Sequence, residues 1–240
     1  MRDTVNILGV DVDRCGMEEA FSRALTFLEG EKPRSIYTPN PEIIMQAHRN
    51  PEVMRVLNRA DMVVADGIGV VYASKILKKP VRERVAGCDL SLKILEYCAK
   101  SGLPVYIYGG KPGVAQKAAE NLEKRFSGLL VAGVTHGYVN DTESVLDDIN
   151  KSGAKLVLVC LGAPRQEVWI DENKGKTNAR LFIGAGGSVD IFAGTVRRAP
   201  DVFIKLNLEW FYRLLSQPSR FVRMLDLPVF MMKVLGYRKK

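Results

Sequence analysis

Leu156-Val157-Leu158-Val159-Cys160-Leu161 runs without a polar side chain and then meets Gly162-Ala163-Pro164-Arg165-Gln166-Glu167. An unbroken apolar run of this length, closed by glycine and proline, predicts a strand covered on both faces, the habit of a parallel sheet. The same grammar repeats outward from it. Ser35–Thr38, Met62–Ala65, Val105–Tyr108, Leu129–Val134 and Leu181–Gly184 are further strand candidates. Amphipathic spacing predicts helices over Met17–Leu28, Glu42–Arg59 with a break at Pro51, Ile68–Leu77, Leu90–Lys100, Val114–Phe126, Glu143–Asn150 and Arg165–Asn173. Val5–Val12 reads as a small hairpin turning near Gly9. Strands alternating with helices predict an α/β fold: a Rossmann-like, mostly parallel sheet flanked by helices.

The net charge of +8 is unevenly placed. Residues 196–240 carry ten basic and three acidic side chains, whereas residues 1–195 hold 25 basic and 24 acidic ones. The same tail holds seven of the 19 aromatics. This shift in chemistry predicts an α/β core over 1–195 and a helical, basic appendage over 196–240. Met1–Asp3 leads straight into a strand with no signal-peptide pattern. The apolar run Leu227–Val234 is interrupted by Pro228 and Lys233 and falls far short of the ~20 residues that span a bilayer. These features predict a cytoplasmic protein. Cys15, Cys88, Cys98 and Cys160 are scattered, which predicts buried thiols rather than a zinc site or a disulfide framework.

In a parallel sheet the ligand lies beyond the carboxyl ends of the strands. Polar or glycine-rich segments stand at those ends: Tyr37–Asn40, Ala65–Gly67, Tyr108–Lys111, Thr135–Tyr138, Leu161–Gln166 and Gly184–Ser188. Gly109, Gly110 and the run Gly184–Gly187 with Gly186 are expected to leave backbone N–H groups free to face an anion, so a diphosphate is the expected ligand. Neither a G-x-G-x-x-G nor a Walker sequence is present, so the owner of that diphosphate stays open.

Asp66 ends a buried strand, a costly place for a carboxylate without a partner or a role. It could cap the helix beginning at Ile68, or act as a general base. Thr38 and Asn40 end the preceding strand and could orient a sugar hydroxyl beside it. Arg84 could neutralise a leaving diphosphate or be a surface arginine. Asp11-Val12-Asp13 has the D-x-D form of some metal-dependent sugar transferases, but Asp13 is also placed to cap the helix from Met17. With only two histidines in the chain, no metal and no other cofactor is expected.

Tyr37-Thr38-Pro39-Asn40-Pro41-Glu42, Ala65-Asp66-Gly67-Ile68-Gly69, Arg84-Val85-Ala86-Gly87-Cys88-Asp89-Leu90, Gly162-Ala163-Pro164-Arg165-Gln166-Glu167, Gly186-Gly187-Ser188-Val189-Asp190 and Asn207-Leu208-Glu209-Trp210-Phe211-Tyr212-Arg213-Leu214 resemble the WecG/TagA/CpsF family of glycosyltransferases. The resemblance runs from about residue 4 to 225 and fades beyond. It implies an inverting, metal-independent transfer. The overall look is nearest to the branch that moves N-acetylmannosamine from its UDP donor to undecaprenyl-diphosphate-linked N-acetylglucosamine, an early step of wall teichoic acid synthesis. It implies that Asp66 is the base for the acceptor 4-hydroxyl, that Thr38 and Asn40 line the sugar pocket, and that Arg84 and Gln166 hold the donor. Gly162, Gly186 and Asp190 fall in its motifs.

The tail has a physical reading of its own. Arg213, Arg220 and Arg223 share one side of a continuous helix by spacing, although Pro218 argues for a break. Basic residues interleaved with Phe211, Leu214, Leu215 and Phe221 suit an interfacial membrane element at the inner face of the cell membrane. The resemblance adds that these arginines grip a lipid diphosphate. Packing of the apolar face on the core or on another subunit is the competing reading, and a homo-oligomer remains open. Nucleic acid is not expected as a partner, since no recognised module is present. The rival functions are a transferase for another UDP-sugar, such as UDP-N-acetylmannosaminuronic acid or UDP-glucose, and a non-catalytic UDP-binding scaffold on the membrane.

Overall fold

The computed structural model describes residues 2–206, 208–216 and 225–237. Among them β3 (Arg34–Tyr37), β4 (Met62–Val63), β5 (Val105–Gly109), β6 (Val131–Thr135), β7 (Leu156–Cys160) and β8 (Leu181–Gly184) form a parallel sheet in the order β4-β3-β8-β7-β5-β6. Successive strand side chains point to opposite faces, and here both faces are apolar. Tyr37, Val63, Tyr108, Val157, Val159 and Phe182 enter one core, whereas Ile36, Met62, Ile107, Leu158 and Ile183 enter the other. That two-sided burial is why the strands read as continuous apolar runs.

The first core is covered by α2 (Pro41–Arg49), α3 (Pro51–Asn58), α7 (Thr142–Ser152) and α8 (Arg165–Asn173). The second is covered by α1 (Met17–Glu29), α5 (Gly87–Ser101), α6 (Val114–Arg125) and α9 (Ser188–Phe192). The predicted break at Pro51 is real. Asn50 caps α3 by accepting the Glu52 N–H, with proline in the first turn. The N-terminal hairpin, β1 (Thr4–Ile7) and β2 (Val10–Asp13), is antiparallel and turns through Leu8 and Gly9 at φ 53° and 101°, as a two-residue hairpin turn requires.

Asp13 does not cap α1, contrary to expectation. Its carboxylate is 1% exposed, pairs with Arg2 at 2.6 Å and Arg23 at 2.9 Å, and accepts the Val63 N–H at 2.7 Å. The α1 N-terminus is instead served from a distance by Glu83, which accepts the Met17 N–H at 2.7 Å. The four cysteines are buried thiols. Burial pushes Cys15 and Cys88 up to about 11 and Cys98 and Cys160 up to about 12, which makes them inert.

In the tail, α10 (Asp201–Lys205) and α11 (Glu209–Ser216) meet through the Phe203 and Tyr212 rings, 5.4 Å apart. They leave Val202, Leu206, Trp210, Phe211 and Leu215 exposed. α12 (Asp226–Tyr237) behaves differently, for it buries Phe230 and Val234 in the first core beside α2. An Arg49–Asp226 ion pair and a bond from the Tyr237 hydroxyl to Asn6 Oδ1 at 2.8 Å fasten it. Core packing is therefore the correct reading for this helix. No helix among the described residues is long and apolar enough to cross a membrane. The Arg213 side chain, Arg220 and Arg223, expected to grip a lipid diphosphate, lie outside the described residues.

Candidate active site

Pairing continues past β4 without regular ladder geometry. The Val64 N–H donates to Tyr37 O at 2.9 Å, Asp66 N–H to Pro39 O at 3.2 Å, and Val85 N–H to Ala65 O at 2.9 Å. These bonds carry residue 66 to the open end of the sheet. Gly67 then turns the chain into α4 (Ile68–Ile76) at φ 100°, a conformation suited to glycine.

The Asp66 carboxylate does cap a helix, but not the one expected. Gly67 is the N-cap of α4 and no side chain bonds there. Asp66 Oδ2 instead accepts the Gly87 N–H of α5 at 3.1 Å, while Oδ1 stands 3.9 Å from Arg84 Nε. The side chain keeps 30% of its surface open, on the wall of a cavity of about 410 Å³. That volume falls within the roughly 300–1,000 Å³ of small-ligand sites.

Asn40 and Arg84 line the same cavity. Asn40 Oδ1 is committed to capping α2, accepting the Ile43 N–H at 3.0 Å. Arg84 is not a surface arginine: its side chain is 14% exposed and its Nη2 donates to Glu209 of α11. Arg198, also on the lining, bonds Asp89 in the first turn of α5. The Nε groups of Arg84 and Arg198 are both shielded from solvent and have no hydrogen-bond partner among the described residues. Both Nε atoms are closed to the cavity, so it is the guanidinium charge of Arg84 and Arg198 on one wall that suits an anionic ligand.

Thr38 lies just behind this wall. Its hydroxyl donates to Gly184 O at 3.3 Å, and a Cβ on Gly87 would come within 2.6 Å of its Oγ1, so Thr38 is wedged between β8 and α5. The remaining candidates stand along the neighbouring strand ends, outside the lining. Gly109, at φ 135°, approaches Cys160 so closely that a Cβ would meet its carbonyl at 2.3 Å. Gly162 opens the turn into α8 at φ 78°. Asp190, in the first turn of α9, accepts from the Thr195 hydroxyl at 3.4 Å.

The expectation of free N–H groups at Gly110 and Gly186 is corrected. Gly110 donates to Cys160 O at 3.1 Å, and Gly186 donates to Gln166 Oε1 at 3.0 Å. The turns fold those donors back onto the sheet. Gln166 is 3% exposed and also donates to Glu167 Oε1 at 2.8 Å, so it stitches the end of β7 to the end of β8. Glu167 is 1% exposed, and burial pushes its carboxyl above the ordinary range.

A carboxylate beside an arginine in a cavity at the strand ends fits activation of a hydroxyl next to a bound anion. Comparison with known proteins agrees. The model of the glycosyl transferase WecG/TagA/CpsF family matches residues 5–240. The chain belongs to that family. Its match includes α12, so the fading of the resemblance at residue 225 is corrected. The N-acetylglucosaminyldiphosphoundecaprenol N-acetyl-beta-D-mannosaminyltransferase of Bacillus spizizenii is 40% identical over 214 residues, covering 89% of this chain and 83% of that protein. Proteins of the same name from Staphylococcus aureus strains MRSA252 and MW2 are 34% identical over 239 residues, covering 98% of this chain and 94% of theirs.

Within this WecG/TagA/CpsF glycosyl transferase, sequence reasoning missed Arg198, Asp89, Glu167 and the use of Glu209. A signal existed for Glu209, one of three acids in a tail with ten bases. Asp89 and Glu167 stand in two of the motifs quoted above without a role assigned to them, and nothing local marks Arg198.

Proposed function

We propose that this protein transfers N-acetylmannosamine from UDP-N-acetylmannosamine to the 4-hydroxyl of undecaprenyl-diphosphate-linked N-acetylglucosamine, with inversion and without a metal, in wall teichoic acid linkage-unit synthesis. The observation that carries the reading is the Asp66 carboxylate on the cavity wall, 3.9 Å from Arg84. The names of the relatives supply the sugars.

Asp66 takes the proton of the acceptor hydroxyl as its oxygen attacks the anomeric carbon from the face opposite UDP. The bond from that carbon to the diphosphate oxygen breaks, and its electron pair leaves with UDP. Arg84 neutralises the growing charge, as a fixed cation in a shielded site does efficiently. Because Glu209 already holds Arg84, the diphosphate must share or displace that carboxylate. Metal independence is supported by the fate of Asp13, whose oxygens are committed to two arginines and a backbone N–H. The exposed apolar residues of α10 and α11, in a basic tail, support peripheral attachment at the inner membrane face, where a polyprenyl acceptor resides.

The test is UDP release from UDP-N-acetylmannosamine in excess EDTA, with and without a lipid-diphosphate-linked N-acetylglucosamine. Release that depends on the acceptor, with a disaccharide product, is expected. No acceptor-dependent release, or release only after manganese is added, would overturn the reading.

A further inference from the structure

The cavity beside Asp66 is chemically lopsided. Glu42, Asp66, Arg84, Arg198 and Glu209 give it a charged region. Much of the remaining wall is apolar: Ile68 and Tyr72 from α4, Trp210 from α11, and Leu227, Pro228 and Met231 from α12. The α4 axis leads away from Asp66, and at ~1.5 Å per residue Tyr72 lies about 6 Å beyond Ile68. The last helix, α12, packs against α4 along this path, and Gly69 lets Pro41 of α2 approach α4, since a Cβ there would stand 2.7 Å from Pro41 Cγ. On this wall Tyr72 and Trp210 are 51% and 39% exposed.

A sugar is a poor occupant for the α4–α12 wall, because its hydroxyls would exchange water for side chains that cannot hydrogen-bond. A hydrocarbon attached to a diphosphate matches both regions, with anion against arginines and chain against the apolar wall. We infer that the α4–α12 wall is a seat for the first isoprene units of a polyprenyl diphosphate, so that the acceptor is read through its lipid as well as its sugar. The inference rests on the lipid-linked acceptor proposed above and goes beyond it by assigning Ile68, Tyr72, Leu227 and Met231 to lipid recognition.

The chain has two tryptophans, Trp169 buried at 8% exposure and Trp210 on the cavity lining, so Trp210 emission reports occupancy. The full chain is titrated with farnesyl diphosphate and, separately, with inorganic diphosphate. Farnesyl diphosphate is expected to bind roughly tenfold tighter or more, since even one buried isoprene removes several carbons from water. Tyr72→Asp, at an exposed position, and Leu227→Asp should each shrink that preference towards unity, with thermal melts confirming that both fold. Equal affinity for the two probes, or a preference surviving in a folded variant of each kind, overturns the inference. UDP release judges the transferase reading separately. Prenyl preference without sugar transfer would sink that reading and keep the lipid seat, and sugar transfer without prenyl preference would do the reverse.

Discussion

Arg84 and Glu209 form an ion pair across the lining of the cavity, with side chains 14% and 11% exposed, and so tie the loop before α5 to α11. Shielding from water and salt distinguishes it from surface pairs, which contribute about 0.2–1 kcal/mol. A double-mutant cycle of Arg84→Ala and Glu209→Ala should give a coupling of about 1–3 kcal/mol in urea unfolding. Strict additivity would mean that the pair contributes nothing to holding α11.

Asp66 serves both the fold and the proposed chemistry, and the two can be separated. Asp66→Asn keeps an oxygen to accept the Gly87 N–H at the start of α5 but cannot accept a proton from a hydroxyl. Acceptor-dependent UDP release should fall by about 10²–10⁴, the usual contribution of a general base, with an unchanged far-UV spectrum and melting temperature. Near-full turnover in a folded Asp66→Asn protein would remove Asp66 from the mechanism.

For Asp13 the reverse is expected. Removing a carboxylate that is 1% exposed and pairs with both Arg2 and Arg23 leaves two cations without their common partner. Asp13→Ala should cost about 3–5 kcal/mol of stability, read as a lower urea midpoint, and added manganese should not change the turnover of what remains folded. A stable Asp13→Ala protein that had lost a manganese-dependent turnover shown by the parent chain would restore Asp11-Val12-Asp13 as a ligand pair.

These contrasts show which parts of the protein local sequence encodes. Strands such as Leu156–Cys160 were legible because burial on both faces leaves a continuous apolar run. The position of Asp66 was legible because strand ends in a parallel sheet converge on one edge. The helix that Asp66 caps was not, since sequence points to the adjacent Ile68 whereas the bond goes to Gly87, twenty-one positions on. Gly186 failed similarly: its N–H is taken by Gln166, twenty positions earlier. The pairing of Arg84 with Glu209 spans 125 positions, and no periodicity carries such information. For α12, an apolar face reads the same whether it meets a core or a lipid, and only the fold shows Phe230 and Val234 buried.

Glu167 makes stability depend on pH in a direction opposite to most carboxylates. Burial is the largest influence on it and raises its value, with bonds from Gln166 and its own backbone opposing. The folded protein therefore prefers the protonated form, whereas the unfolded chain ionises near the ordinary ~4.3. Between those two values the unfolded state binds fewer protons, so stability falls as pH rises. The contribution is fully present below the unfolded value and is lost as pH passes the raised folded one. Glu167→Gln retains an oxygen to accept from Gln166 Nε2 and cannot ionise. Its stability relative to the parent chain should improve as pH climbs from about 4 and level off once the parent's buried carboxyl has ionised. Urea unfolding of both proteins across that range measures the difference. A gap that does not change with pH would mean that Glu167 titrates alike in the folded and unfolded chains, and burial would then not control its charge.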